Sequence, residues 1–292
     1  MFLNQVILGL STGVFYSLAA LGLVLIYKVT GVVNFAFGNM GMFMIYVAYS
    51  LISMKFSPFC TLLIILILAA GFGWIVERFT MRPLKHLSHG SMLIVTLGIM
   101  MILEGLVTQI WGTDYKSFPE IITGKPYVLK GNFGILVFRK QDILAFVLLI
   151  LISLLLFIFL KYTKLGIALR TTSEDEETAQ LMGINTNFVS SMVWMMGTSI
   201  AALIAFLSAP RTYVSPVMMI HYQIEGFTAA VLGGFTSIPG AIFGGLVLGV
   251  LENIVATYIS NELKTTFSLL LIVVILLIRP EGLFGRTKVG RV

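Results

Sequence analysis

Residues 164–185, KLGIALRTTSEDEETAQLMGIN, decide how the rest of this chain is read. Four of the chain's 13 acids, Glu174, Asp175, Glu176 and Glu177, stand there consecutively, and a lipid bilayer does not admit four adjacent carboxylates. The segment must face water. Ser173 and Glu176 have the S-x-x-E spacing of a capping box, and Gly183 stands where a helix would end on glycine, which predicts a helix about two turns long. On it Ala179 and Met182 lie three apart with Leu181 beside them, so a small apolar strip would be shown to water on an otherwise acidic helix. Isolated helices of this length are marginal, which suggests a docking surface. A merely solvated interhelical loop is the other reading.

On both sides of this segment the sequence is apolar. The chain of 292 residues is 58% hydrophobic and 11% charged, against roughly 25% charged in soluble domains, with a mean hydropathy of +1.00. Apolar stretches at 2–27, 31–53, 59–79, 90–111, 142–160, 188–209, 221–235, 239–258 and 265–279 are candidate membrane spans. The stretch at 221–235 is short and runs into GGFTSIPGA, so it reads as a half-helix or re-entrant dip. The fold class expected is therefore an all-α polytopic membrane protein with eight or nine transmembrane helices, some broken or re-entrant, in a single domain over 1–292.

Lys and Arg in the short loops set the orientation. Arg78, Arg82 and Lys85, then Lys161, Lys164 and Arg170, then Arg279, Arg286, Lys288 and Arg291 mark three cytoplasmic regions, the last of them the C-terminus. With nine crossings the N-terminus and residues 112–141 fall outside, and 164–187 forms a cytoplasmic loop. The net charge of +6 then reflects topology and anionic lipid, without a basic, aromatic-interleaved patch for nucleic acid. The single cysteine, Cys60, carries neither a disulfide nor a metal-ligand pattern.

Glycines are patterned. Gly9, Gly13 and Ser17 recur every four residues, as do Ala241, Gly245 and Gly249, and such stripes serve helix packing within the chain or between subunits. Two clusters, GVVNFAFGNMG at 31–41 and LGGFTSIPGAIFGG at 232–245, interrupt helices at membrane depth, where irregular backbone survives only beside protein or a water-filled cavity. They point to a permeation route bordered by Asn34, Phe35, Gly38, Asn39, Thr96, Gly233 and Gly234, although Asn34 and Asn39 can equally cap a helix break. Glu104 sits near the middle of an apolar run and is expected to face the protein interior; Glu225 and Glu252 raise the same question near helix ends.

The chain has no G-x-x-x-x-G-K-[ST], H-E-x-x-H or C-x-x-C, so neither ATP hydrolysis of its own nor a metal or cofactor centre is expected. An ion- or proton-coupled secondary carrier with Glu104 as its coupling carboxylate, and a ligand-binding receptor or scaffold, are the readings from other classes.

Several blocks together resemble the permease subunits of branched-chain amino acid ABC importers. LGLSTGVFYSLAALGLVLIYKVTGVVNFAFG resembles that family's opening helix and I-N-F-A-H-G break, IVTLGIMMILEGLVTQIWGTD its fourth-helix region, and LGIALRTTSEDEETAQLMGIN its G-x-x-x-R-A loop ending in G-I-N. GFTAAVLGGFTSIPGAIFGGLVLGVLENI followed by RPEGLFG resembles its C-terminal region. The resemblance implies an ABC importer permease fold in a bacterial inner membrane. Its partners would be a second permease (paralogue or identical copy), two cytoplasmic ATPase subunits and an extracytoplasmic binding protein. It also makes the segment around Arg170, Ser173, Glu176, Ala179, Leu181, Met182 and Gly183 similar to the family's coupling loop, with Ser173 and Glu176 holding the helix and the three apolar residues filling a groove on the ATPase. The chain departs from the family pattern where Phe37 replaces His, Asn39 an acid and Glu225 a basic residue, so urea, short amides or other amino acids are alternative cargoes.

Overall fold

The computed structural model describes residues 2–131 and 134–285. The basic tail positions Arg286, Lys288 and Arg291 lie outside them. Among the described residues nine helices match the nine apolar stretches: α1 (Phe2–Thr30), α2 (Phe37–Ser53), α3 (Pro58–Val76), α4 (His89–Trp111), α5 (Lys140–Tyr162), α8 (Thr186–Thr212), α9 (Ile220–Gly233), α10 (Ile238–Tyr258) and α11 (Lys264–Ile278). Two short ones, α6 (Lys164–Glu174) and α7 (Glu176–Leu181), occupy the acidic segment. Six helices are long and apolar enough to cross a membrane, α2 and α11 are shorter apolar helices, and α9 is only 14 residues. A span needs about 20 residues, so α9 is the half-helix that its glycine-rich exit predicted. An antiparallel hairpin, β1 (Tyr127–Gly131) with β2 (Gly134–Phe138), decorates the long connection before α5.

The chain separates into two compact units. One comprises residues 25–121 and 150–221, the other 1–24, 122–149 and 222–292. In the first unit α8 is the central helix, buried along most of its length, with Trp194 fully enclosed. Glycines let its neighbours approach: a Cβ on Gly41 of α2 would lie 2.5 Å from the Ala201 carbonyl, and one on Gly73 of α3 would lie 2.5 Å from that of Trp194. Both distances are below any real Cβ contact, so glycine is required for these crossings.

In the second unit the two stripes face each other. A Cβ on Gly249 would lie 2.4 Å from Gly13 Cα, one on Gly245 2.3 Å from Ser17 N, and one on Gly9 2.6 Å from Val250 Cα. The stripes are thus an intrachain seam between α1 and α10. Ser17 reinforces it by donating to the Ile242 carbonyl at 2.7 Å, and Asn253 by donating to Gln5 Oε1 at 2.9 Å. Polar side chains are economical here, because lipid offers these groups no alternative partner.

Candidate functional site: the helix breaks and the acidic segment

The first break follows from Gly31, whose φ of +66° ends α1 in a left-handed conformation open to glycine. Residues 31–36 then run without regular structure into α2. Asn34 organises the restart, since its Oδ1 accepts from the Ala36 amide at 2.9 Å and its carbonyl from the Phe37 amide at 3.4 Å. It therefore acts as an Asx turn that launches α2. From α4, Thr96 Oγ1 accepts from the Phe35 amide at 3.2 Å, and Asn39 Nδ2 donates to the Met100 carbonyl at 3.3 Å. Two separate hydrogen bonds, Phe35 to Thr96 and Asn39 to the Met100 carbonyl, thus tie the break and the first turn of α2 to α4, with Gly38 inside that turn. Phe37 is buried in the same turn.

Glu104 stands about two turns beyond Thr96 on α4. It is half-buried on a helix whose surface is largely open, and among the described residues its carboxylate makes no hydrogen bond. Glu104, expected to face the protein interior, is half-buried in the single chain. Glu225 of α9 and Glu252 of α10 are both fully buried. Glu252 pairs with Lys264 of α11 at 3.1 Å, and Glu225 lies against Ser268 one turn further on. A buried carboxylate needs such partners, and α11 supplies both of these.

The second break is closed by the C-terminal segment. α9 stops at Gly233, Gly234 adopts φ +100°, and Ser237 caps α10 by accepting from the Gly240 amide at 3.1 Å. The amides of Leu283 and Phe284 donate to the carbonyls of Leu232 and Gly233, at 2.9 and 3.1 Å. They satisfy two of the acceptors that every helix end leaves open. Gly233 and Gly234 are accordingly packed against Gly240, Gly282 and Gly285. Sequence reasoning noticed both halves of this motif, GG at 233–234 and EGLFG at 281–285, but nothing local signals that they bond each other.

The acidic segment folds as two helices. Thr163 caps α6 by accepting from the Gly166 amide at 2.9 Å, and Gly166 lies so near the Phe159 carbonyl that no side chain would fit. The cap of α7 is Asp175, which corrects the role given to Ser173. Asp175 Oδ1 accepts from the Thr178 amide at 3.1 Å and Oδ2 from the Thr178 hydroxyl at 2.6 Å, whereas Ser173 spends its hydroxyl on the Arg170 carbonyl inside α6. The Thr178 hydroxyl and amide hold the Asp175 carboxyl below the usual range. At the other end Gly183 has φ +81°, its amide donates to Gln180 at 2.9 Å and the Ile184 amide to Ala179 at 3.0 Å. This pair of bonds is a Schellman motif. Asn185 then caps α8, completing the G-I-N turn.

The apolar strip is also rearranged. Ala179 is fully buried, turned against its own chain, while Leu181 and Met182 are 89% and 68% exposed. Arg170 is exposed on α6, and Glu176 forms an ion pair with Lys85 in the α3–α4 connection. That connection holds the group which sequence reading missed. A π-helical turn, Glu77–Met81, ends α3, and Arg82 grips Glu77 through both carboxylate oxygens at 3.2 and 2.6 Å. Ser191 of α8 donates to the same carboxylate at 2.6 Å. Glu77 is only 2% exposed. The residue was passed over because Arg78, Arg82 and Lys85 around it read as loop charge.

Among the described residues no arrangement resembles the nucleophile elbow of a hydrolase. Gly9-Leu10-Ser11-Thr12-Gly13 spells G-x-S-x-G, yet Ser11 lies mid-helix and donates to the Ile7 carbonyl, far from the strand-to-helix turn a nucleophile elbow requires.

Comparison with known proteins agrees. The profile of the family described as branched-chain amino acid transport system / permease component matches residues 5–277. The high-affinity branched-chain amino acid transport system permease protein LivH of Salmonella typhimurium is 32% identical over 302 residues, covering 100% of this chain and 98% of that protein. The corresponding permease BraD of Pseudomonas aeruginosa is 31% identical over 301 residues, with 100% and 98% covered. Among solved structures, PsaBC from Streptococcus pneumoniae in complex with Fab has a similar fold, with a TM-score of 0.51 at 15% identity over 94% of this chain and 91% of that one.

Proposed function

We propose that this chain, which belongs to the branched-chain amino acid transport system permease family, carries branched-chain or related small amino acids through the membrane. Family membership makes it a multi-pass, non-enzymatic subunit that contributes the translocation pathway of an ABC importer. The observation that carries the cargo class is the full-length likeness to permeases of branched-chain amino acid systems.

In this reading 1–292 is one permease domain placed in a bacterial inner membrane. Residues 112–141 lie outside, and 164–187 and the C-terminus lie in the cytoplasm, as the Lys and Arg bias favours. The partners are a second permease (paralogue or identical copy), two ATPase subunits and an extracytoplasmic binding protein. Leu181 and Met182, held outward by the Asp175 cap and the Gly183 turn, are the surface offered to an ATPase groove, with Arg170 beside them on α6. Asn34, Phe35, Gly38, Asn39 and Thr96 border the pathway at one break and Gly233 and Gly234 at the other, with Glu104 on the open face of α4. Broken helices at membrane depth are what supports this assignment.

A thermal-shift screen of the cognate binding protein tests the cargo. Stabilisation by leucine, isoleucine or valine is the expected result. Stabilisation by urea or short amides alone overturns the amino-acid reading, and the replacements at Phe37, Asn39 and Glu225 make those the compounds to include.

A further inference from the structure

The α3–α4 connection is fastened at two points to the part of the chain that follows the acidic segment's exposed tip. Arg82 donates to the Asn187 carbonyl at 3.2 Å and to Ser191 Oγ at 2.6 Å, both in the first turns of α8. Its guanidinium is fixed in turn by buried Glu77. Three residues later Lys85 meets Glu176 in the first turn of α7. Arg82 is thus the anchor and Lys85 an arm laid across to α7. A cavity of about 30 Å³ lies between them, with Glu77, Arg82, Lys85 and Glu176 in its lining beside apolar Met81 and Met92, so these elements are not closely packed here and the polar bridges span the gap.

Beyond Lys85 the connection is short. Ser88 caps α4 by accepting from the Ser91 amide at 3.2 Å, and His89, the first residue of α4, lies so close to Gly31 that a Cβ there would sit 2.6 Å from its Nε2. Two turns on, Thr96 holds the Phe35 amide. Both ends of the irregular stretch 31–36 are therefore in contact with α4.

We propose that residues 77–85 form a second coupling element, in which Lys85 and Arg82 are positioning residues that pass displacement of α7 to α4 and, through His89 and Thr96, to the helix break at 31–36. The relay rests on the reading that α7 docks an ATPase. A contiguous run of polar bridges, backbone and packing contacts between helices is the kind of network that carries such coupling, and a double-mutant test is what establishes it.

The experiment uses the full complex of permease, ATPase subunits and binding protein reconstituted in liposomes. Lys85→Glu places two anions together and should lower uptake per ATP hydrolysed roughly fivefold or more, with the ATPase still co-purifying and the melting temperature of the complex unchanged. Adding Glu176→Lys to that variant restores the opposite pair and should restore uptake. Uptake unaffected by Lys85→Glu, or lost and not recovered in the swap, overturns the relay. Loss of ATPase co-purification with Lys85→Glu also overturns it, because Lys85 would then be part of the docking surface. Failure of the docking reading shows separately, as an ATPase that still co-purifies with Leu181→Ser/Met182→Ser.

Discussion

The Leu283 amide donates to the Leu232 carbonyl at 2.9 Å, tying the segment after the last helix to the end of the half-helix α9. The bond is possible because Gly282, with φ +78°, passes within backbone contact of Gly234 and Val231. Irregular backbone between two apolar helices persists because its carbonyls find donors in the same chain.

Gly282→Val should therefore open the second break. A β-branched residue at positive φ costs about 1–2 kcal/mol before any overlap, and its Cβ would lie 2.5 Å from Gly234 N and from the Val231 carbonyl. The expected outcome is a lowered melting temperature of the purified permease, with faster exchange of the Leu283 and Phe284 amides, the donors of the latch. An unchanged melting curve would show that the latch is dispensable.

Leu181 and Met182 separate from Ala179 in what their substitution should do. Leu181→Ser/Met182→Ser removes only exposed apolar surface, so the permease should melt normally while ATPase co-purification is lost. Ala179→Asp instead buries a carboxylate under α7 and should unfold that helix, seen as proteolytic cleavage between 174 and 185. Equal melting and equal cleavage in the two variants would remove the distinction.

Glu104 predicts what covers α4. A carboxylate at membrane depth is expensive against lipid, so this face should meet water or a second subunit. In a Cys60→Ser background, Glu104→Cys should react with a water-soluble maleimide at least several-fold faster than Ile94→Cys, which lies on the apolar exposed surface of the same helix. Equal rates would place Glu104 in lipid.

Asp175 makes α7 sensitive to acid. Because Thr178 lowers its folded-state pKa, the cap's contribution is present in full above the ordinary carboxylate value and is lost as pH falls through the lowered one. The protection factor of the Thr178 amide, relative to its intrinsic exchange rate, should fall at the acid end of that range in the native chain, and already at neutral pH in Asp175→Ala. Equal protection in Asp175→Ala and the native chain at neutral pH would mean the cap does not hold the turn.

The membrane class, the nine apolar elements, both breaks, the water-facing acidic segment and the stop at Gly183 were legible in the sequence. Each depends on local properties: apolar run length, glycine's access to positive φ, and the exclusion of clustered carboxylates from lipid. Tertiary structure alone decided that Glu225 and Glu252 are enclosed while Glu104 is not, that Ala179 turns inward, and that Gly233–Gly234 is closed by residues 281–285. It also revealed Glu77, whose partner Ser191 lies 114 residues away. The competing caps show the boundary well, since S-x-x-E at 173–176 and D-x-x-T at 175–178 overlap. Which one formed is seen in where α6 ends: it runs to Glu174 and takes Ser173 inside it, which leaves Asp175 as the first residue free to cap α7. Local chemistry fixes which groups need partners in a membrane, but only the folded chain decides which partners come within reach.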